Sequence, residues 1–189
     1  MYEIDYDGRR LAFYHPGVGA PISAGLLEVS IAYGCRKFIA CSGCGVLEAG
    51  ITLGDLIVEN AAVRDEGVSY AYAEPSREIA ADPDGVDALV RTLEERNIPH
   101  RVAKTWTTPA PYRETRKLVD QRVGEGCLTV EMEAAAMIAV ARYRKVTFGQ
   151  VLYGGDDLSG DEWDVRGWQS KEDLRENLFW LAADAVLHL

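Results

Sequence analysis

Two carboxylates flank a methionine in Val130-Glu131-Met132-Glu133, directly ahead of the alanine-rich apolar run Ala134 to Val140. Burying acids beside such a run is costly unless they have partners. A cap or dipole complement at a helix mouth accounts for one of them. The other is then available to accept from two neighbouring hydroxyls, which is how a single carboxylate recognises the vicinal diol of a ribose. A second acidic pair, Asp156-Asp157, comes after a β-rich run and sits among Gly154, Gly155 and Gly160. An acid there either forms a turn or projects into a cleft. Ser42-Gly43-Cys44-Gly45 closes another such run. Glycine removes the Cβ that would bar an anion from the backbone N–H groups, so a phosphate or ribose oxygen fits that stretch as well as a plain turn does. Neither the Walker pattern nor a full G-x-G-x-x-G occurs, which removes the usual nucleotide triphosphate and dinucleotide readings.

Short β-rich runs alternate with helical periodicity, the pattern of an α/β layer architecture with a largely buried sheet. Strands are expected at Leu11 to His15, Lys37 to Cys41, Asp55 to Val63, His100 to Trp106 and Val146 to Tyr153. Between them, Ile22, Leu26, Val29 and Tyr33 form an apolar stripe, with Pro21 near the helix start and Gly34 as its stop. Val86, Leu89, Val90 and Leu93 mark a second helix, Glu131 to Tyr143 a deeply buried third, and Leu174, Leu178, Leu181 and Ala185 a last one from Lys171. Three glycine-bearing loops, at His15 to Gly19, Ser42 to Gly45 and Gly154 to Gly160, are expected after strands, where α/β sheets bind ligands. They point to one shared pocket.

The chain has 189 residues, 48% of them hydrophobic and 26% charged, enough for one domain with a real core over residues 1–189. Its net charge of −10 opposes a non-specific hold on nucleic acid or an anionic membrane, so the partner expected is a small molecule. The acidic start, MYEIDYDGRR, is unlike a secretory signal, and a cytoplasmic location is expected. Four cysteines make no disulfide framework, and Cys41-x-x-Cys44, with no second pair to complete a zinc site, is a weak redox or zinc signal that reads first as two small residues in a Gly-rich turn.

Taken in order, Gly17-Val18-Gly19-Ala20-Pro21, Ser42-Gly43-Cys44-Gly45-Val46 before Gly54-Asp55, Val130-Glu131-Met132-Glu133-Ala134-Ala135 and Gly155-Asp156 resemble the nucleoside phosphorylase family of purine nucleoside and uridine phosphorylases. The likeness runs from about Gly8 to the last helix. It implies three layers, a mixed twisted central β-sheet flanked by helices, and reversible cleavage of an N-glycosidic bond by phosphate, with phosphate as co-substrate and no metal or organic cofactor. Glu133 matches the carboxylate that binds the ribose 2′- and 3′-hydroxyls, Met132 the residue packed on the sugar, and Glu131 lies beside the base. Ser42, Gly43, Cys44 and Gly45 match the loop lining the phosphate and ribose site. Asp156 matches the acid that protonates purine N7, and Tyr112 falls in a lid where it would stack on the base. Relatives assemble as dimers, trimers or hexamers, so a homo-oligomer is expected.

The match also departs from the family. Relatives carry, ahead of the matching part, a further segment with a first strand and a glycine-and-arginine phosphate loop, and these 189 residues are expected to correspond to the portion after that segment. A second phosphate arginine falls on Ala40, and a usual hydroxyl donor on Gly43. Ser42, Arg9, Arg10, Arg36 and Arg113 are the candidates to compensate. Three readings stand open: a phosphorylase, a nucleosidase using water, and a nucleoside-binding protein without turnover. Like-charge pressure from Asp157 is one expected means of keeping a proton on Asp156.

Overall fold

A computed structural model describes residues 1–189, with Gln169 described in its backbone only. Strands β1 (Tyr2–Tyr6) and β2 (Arg9–Phe13) form an antiparallel hairpin, with Asp7 and Gly8 both at positive φ in the two-residue turn. The strand expected at Leu11 to His15 starts two residues earlier, and β1 is an addition, its alternation masked by charged residues. After the hairpin come α1 (Ala20–Ala32), β3 (Lys37–Val46), β4 (Leu56–Arg64), β5 (Glu78–Ala80), α2 (Pro83–Glu95), β6 (His100–Thr107), α3 (Arg116–Gly124), β7 (Cys127–Glu131), α4 (Ala134–Arg144), β8 (Thr147–Asp157) and α5 (Glu172–Leu187).

Among the described residues, strands β3 to β8 make one mixed sheet in the order β5-β4-β6-β7-β3-β8. Strand β4 also pairs antiparallel with β8, so β4, β6, β7, β3 and β8 close into a ring. Helices α1 and α4 pack on one side through Leu27, Ala135, Ala139 and Val140, and α2 and α5 on the other through Leu89, Leu93, Leu178 and Leu181. Each buried leucine contributes about 1.5–3 kcal/mol against leaving it in water. The expected three-layer α/β architecture is present.

Local chemistry explains the element ends. Asp82 caps α2 by accepting from the Asp84 N–H at 3.1 Å, and Pro83 supplies a preset φ at the first turn. Helix α2 lies directly on β8: a Cβ on Gly85 would stand 2.3 Å from the Phe148 carbonyl oxygen. Helix α4 ends at Lys145, which adopts the left-handed conformation.

Three expectations are corrected. Ser42-Gly43-Cys44-Gly45 and Gly154-Gly155-Asp156-Asp157 are not loops but the last residues of β3 and β8, paired in parallel register at Ser42 with Leu152 and Gly43 with Tyr153. Glu131 ends β7 and does not lie in a helix; α4 starts three residues later. The stripe Ile22, Val29 and Tyr33 faces outward at 51%, 47% and 76% exposure, while Ala20, Ser23, Ala24, Leu27 and Ser30 turn inward. Small residues let α1 sit close to α4, which periodicity alone does not reveal. No helix among the described residues is long and apolar enough to cross a membrane.

Candidate active site

One cavity of about 1380 Å³ opens between the hairpin, the carboxyl ends of β3, β7 and β8, and α5. Ser42, Gly43, Cys44 and Gly45 line it from β3, and Glu131, Met132 and Glu133 line it from the β7–α4 junction. Asp156 enters from β8, and Tyr112 stands at the rim, 94% exposed. The structure therefore brings these nine residues to one hollow, whereas Arg113 and Asp157 are not among its lining.

The acids differ sharply in their partners. Glu131 is buried and fully engaged: its Oε1 accepts from the Thr107 hydroxyl at 2.6 Å, and its Oε2 from the N–H groups of Glu133 and Ala134, both at 2.6 Å. It ties β7 to β6 and holds the start of α4. Burial, reinforced by the Glu133 charge, pushes Glu131 up to about 8 against those three donors. Glu133 keeps one oxygen on the Gly19 N–H at 2.5 Å, and burial raises its carboxyl too. That contact explains the glycine at 19, which sits at φ 97° as the residue before α1.

Asp156 Oδ2 accepts from the Trp163 indole N–H at 2.6 Å. Its expected neighbour in charge, Asp157, does not play that part. Asp157 is paired with Arg166 and also accepts from the Ser159 N–H at 2.8 Å. The acid that faces Asp156 is Glu114, which lines the same cavity; burial, then the Asp156 charge, pushes it up to about 7. Sequence reasoning misses both Glu114 and Trp163. Glu114 directly follows the Tyr112-Arg113 stretch expected to form a lid, and Trp163 is an aromatic stranded in a polar, glycine-rich stretch.

The glycines of β3 have steric reasons. A Cβ on Gly43 would meet the Tyr153 ring and hydroxyl at 2.8 Å, and one on Gly45 would meet Leu158 and Val130 at 2.7 Å. Among the described residues, Lys37 to Cys44 pair with β8 alone, so the other edge of β3 faces the cavity. Cys44 donates its thiol to the Tyr153 carbonyl at 3.3 Å, and burial drives that thiol strongly upward, which leaves it inert.

Four cationic residues of the lining, Arg9, Arg10, Arg36 and Arg175, hold other partners. Arg10 is bound to both Glu3 oxygens at 2.8 and 2.7 Å, Arg9 donates to the Leu187 carbonyl at 3.2 Å, and Arg36 to those of Ile31 and Cys35 at 2.8 Å. Arg175 reaches Tyr153. The loop from Arg64 to Tyr70 closes on itself: buried Arg64 donates to Ser69, Glu74 and Ser76 and stacks on the Tyr70 ring at 4.1 Å. Trp106 is core, with its indole donating to Asp65 at 3.0 Å. No group of three or more His, Cys, Asp or Glu suited to a metal occurs among the described residues.

Comparison with known proteins agrees with this architecture. The chain is 30% identical over 172 residues to a guanosine phosphorylase of Halorubrum lacusprofundi, a match spanning 90% of this chain and 70% of that protein. It is 30% identical over 149 residues to a uridine phosphorylase of Thermococcus kodakarensis, covering 72% of this chain and about half (54%) of that one. A crystal structure of AMP nucleosidase from Bacteroides thetaiotaomicron superposes with a TM-score of 0.79 at 20% identity, over 98% of this chain and 73% of the other. A model of the phosphorylase superfamily matches residues 1–184, and with relatives of this kind along most of its length the chain belongs to that superfamily, among the nucleoside phosphorylases.

Proposed function

We propose that this protein cleaves the N-glycosidic bond of a purine nucleoside with phosphate, releasing the free base and ribose 1-phosphate without a cofactor or metal. The observation that carries the reading is that Glu133 and Asp156 line one cavity, which would let the first take a vicinal diol and the second a leaving heterocycle. Cleavage builds positive charge on the sugar, so an anionic nucleophile and a proton donor on the departing base both stabilise the transition state more than the ground state. Asp156 supplies the proton to the base, Met132 packs on the sugar, and Ser42 with the open backbone edge at Gly43 receives the phosphate. Cys44 and Gly45 form the wall beside the ribose, Glu131 fixes the junction beside the base, and Tyr112 closes over it. A protonatable acid facing the base favours a purine, and the relatives' names include guanosine phosphorylase and purine nucleoside phosphorylase. The partners are then a nucleoside, phosphate and other copies of this chain.

A second reading, hydrolysis of the same bond by water, is favoured by the cations of the lining: Arg9, Arg10 and Arg36 are held by other groups. Chromatographic screening of nucleosides with and without phosphate separates the two. Phosphate-dependent release supports phosphorolysis, and equal release in phosphate-free buffer supports hydrolysis. Nucleoside binding with no base released under either condition overturns both.

A further inference from the structure

The interior of the strand ring holds a carboxylate that the reaction does not touch. Glu59 on β4 is 1% exposed, and neither of its oxygens has a hydrogen-bond partner among the described residues. Gln150 on β8 is 3% exposed, and its Oε1 is also without a partner. The β4–β8 ladder runs Leu56 with Tyr153, Ile57 with Leu152 and Val58 with Val151, and the same register carried one step past its last pair would put Glu59 opposite Gln150. Ile57 and Leu152 pack in one interior cluster, and Glu59 and Gln150 lie two residues from them on the same strand faces.

Among the described residues no cation stands by Glu59, and no group donates to either of its oxygens. Its β6 partner is Ala103, and the next inward side chain, Thr105, donates its hydroxyl proton to the Thr129 carbonyl at 3.2 Å. Thr129 donates its own to Thr105 at 3.0 Å, and the Cys44 thiol is committed to Tyr153. The titratable groups facing Glu59 are Glu131, Glu133 and Cys44, none of them a cation, and with burial the two acids drive its carboxyl well upward. A charge in that position is costly, which favours the neutral acid, with one O–H to give. The orphaned acceptor beside it is Gln150 Oε1. The amide's other end donates from Nε2 to Ser42 Oγ at 3.5 Å, and Ser42 lines the cavity.

We propose that Glu59 is a positioning residue: it donates its acid proton to Gln150 Oε1, fixing the amide so that Nε2 holds Ser42 Oγ and the Ser42 O–H is presented to the anionic nucleophile. The proposal rests on the phosphorolytic reading and deepens it by naming what aims the phosphate donor. The donor that would otherwise stand at Gly43 is replaced by one a residue earlier, supported from inside the ring.

The test is steady-state cleavage at varied phosphate for the full chain and for Glu59→Gln, Glu59→Leu, Ser42→Ala and the double variant E59L/S42A, with an infrared spectrum at pH 8. A glutamine at 59 still donates an N–H to Gln150, so its phosphate KM stays within about twofold of the parent. Loss of one hydrogen bond to a charged group raises phosphate KM roughly tenfold in Glu59→Leu and in Ser42→Ala, with the nucleoside KM held, and the double variant is no worse than either. At pH 8 the parent shows a protonated-carboxyl carbonyl band to which Glu131 also contributes, and the parent-minus-Glu59→Gln difference spectrum retains such a band from Glu59 itself. Multiplicative effects, a Glu59→Gln as impaired as Glu59→Leu, or no such band in the difference spectrum each overturn the proposal. If Glu59→Leu does not fold, Glu59→Gln, Ser42→Ala and the band decide it. Phosphate-independent release by the parent defeats the functional reading and the Ser42 role together, whereas the band reports separately on the Glu59 proton.

Discussion

Glu133 and Asp156 face one hollow from separate supports: the Gly19 N–H holds the first at 2.5 Å, and the Trp163 indole holds the second at 2.6 Å. In each acid at least one oxygen is fixed in place by these contacts. The two substitutions are therefore expected to separate kinetically. Asp156→Asn removes a proton donor and lowers kcat by roughly 10²–10⁴-fold with nucleoside KM little changed. Glu133→Gln loses a charge-assisted grip on the diol, worth about 1.5–3 kcal/mol, and raises nucleoside KM by roughly 10–100-fold. Base release followed by chromatography measures both, and an Asp156→Asn protein with parental kcat removes Asp156 from the chemistry.

Through Glu114 the proposed reaction is expected to be sensitive to pH near neutrality. Its carboxyl, pushed up to about 7 by burial and by Asp156, is protonated below that value and anionic above it. Losing this proton strips the cavity of an acid beside the leaving group, so kcat is expected to fall as pH rises through about 7. In Glu114→Gln that inflection disappears. A pH profile whose inflection survives the substitution assigns it to another group.

Stability should also fall with rising pH. Glu59 and Glu131 are both raised in the folded chain, Glu131 from 4.5 to about 8. Between those values the native state binds more protons than the unfolded one, so the unfolding free energy drops as pH increases through this window. For Glu131 the full benefit is present below about pH 4.5 and is lost through pH 8, and Glu59, raised well above its ordinary value by burial, acts in the same direction. Thermal unfolding at pH 5.5 and 8 reads the difference as a lower Tm at pH 8, and Glu59→Gln flattens the dependence. A Tm that rises over this interval in the parent contradicts the assignment.

The outward face of α1 tests assembly. Ile22, Val29 and Tyr33 form an exposed apolar stripe, and a homo-oligomer that covers it would be broken by charge. Light scattering is expected to give a multiple of 20.8 kDa for the parent and a smaller species for the paired substitution Ile22→Glu with Tyr33→Glu. A parent that scatters as a monomer ends this expectation.

The legible parts of the sequence are those where one residue type answers one demand. Pro83 after Asp82, the apolar run in α4 and the β-rich cores of β4, β6 and β8 all speak through local propensity and period. Glu131, Glu133 and Asp156 stand out because acids beside apolar or glycine-rich stretches need a reason. What stays hidden depends on tertiary pairing. Strand β7 is not legible in the sequence, its last residue Glu131 reading as a helix start because it abuts the alanines, and only its ladder with Trp106 and Thr107 makes it a strand. The glycine-rich ends of β3 and β8 look like turns until the Tyr153 ring is seen to fill the space a Cβ at Gly43 would need. Likewise, the charge beside Asp156 comes from Glu114, distant in sequence, and the adjacent Asp157 is already spoken for by Arg166.

Strand β8 joins β3 along one side and β4 along the other, and it leaves a ribosome after every strand it joins. Until Thr147 to Asp157 emerges, the earlier strands have no means of completing their circle and expose unsatisfied backbone to any neighbour. Translation thus imposes a vulnerable interval on every newly made copy, ended only when that stretch arrives, so truncations before Asp157 should burden the cell's chaperones far more than loss of the β1–β2 hairpin.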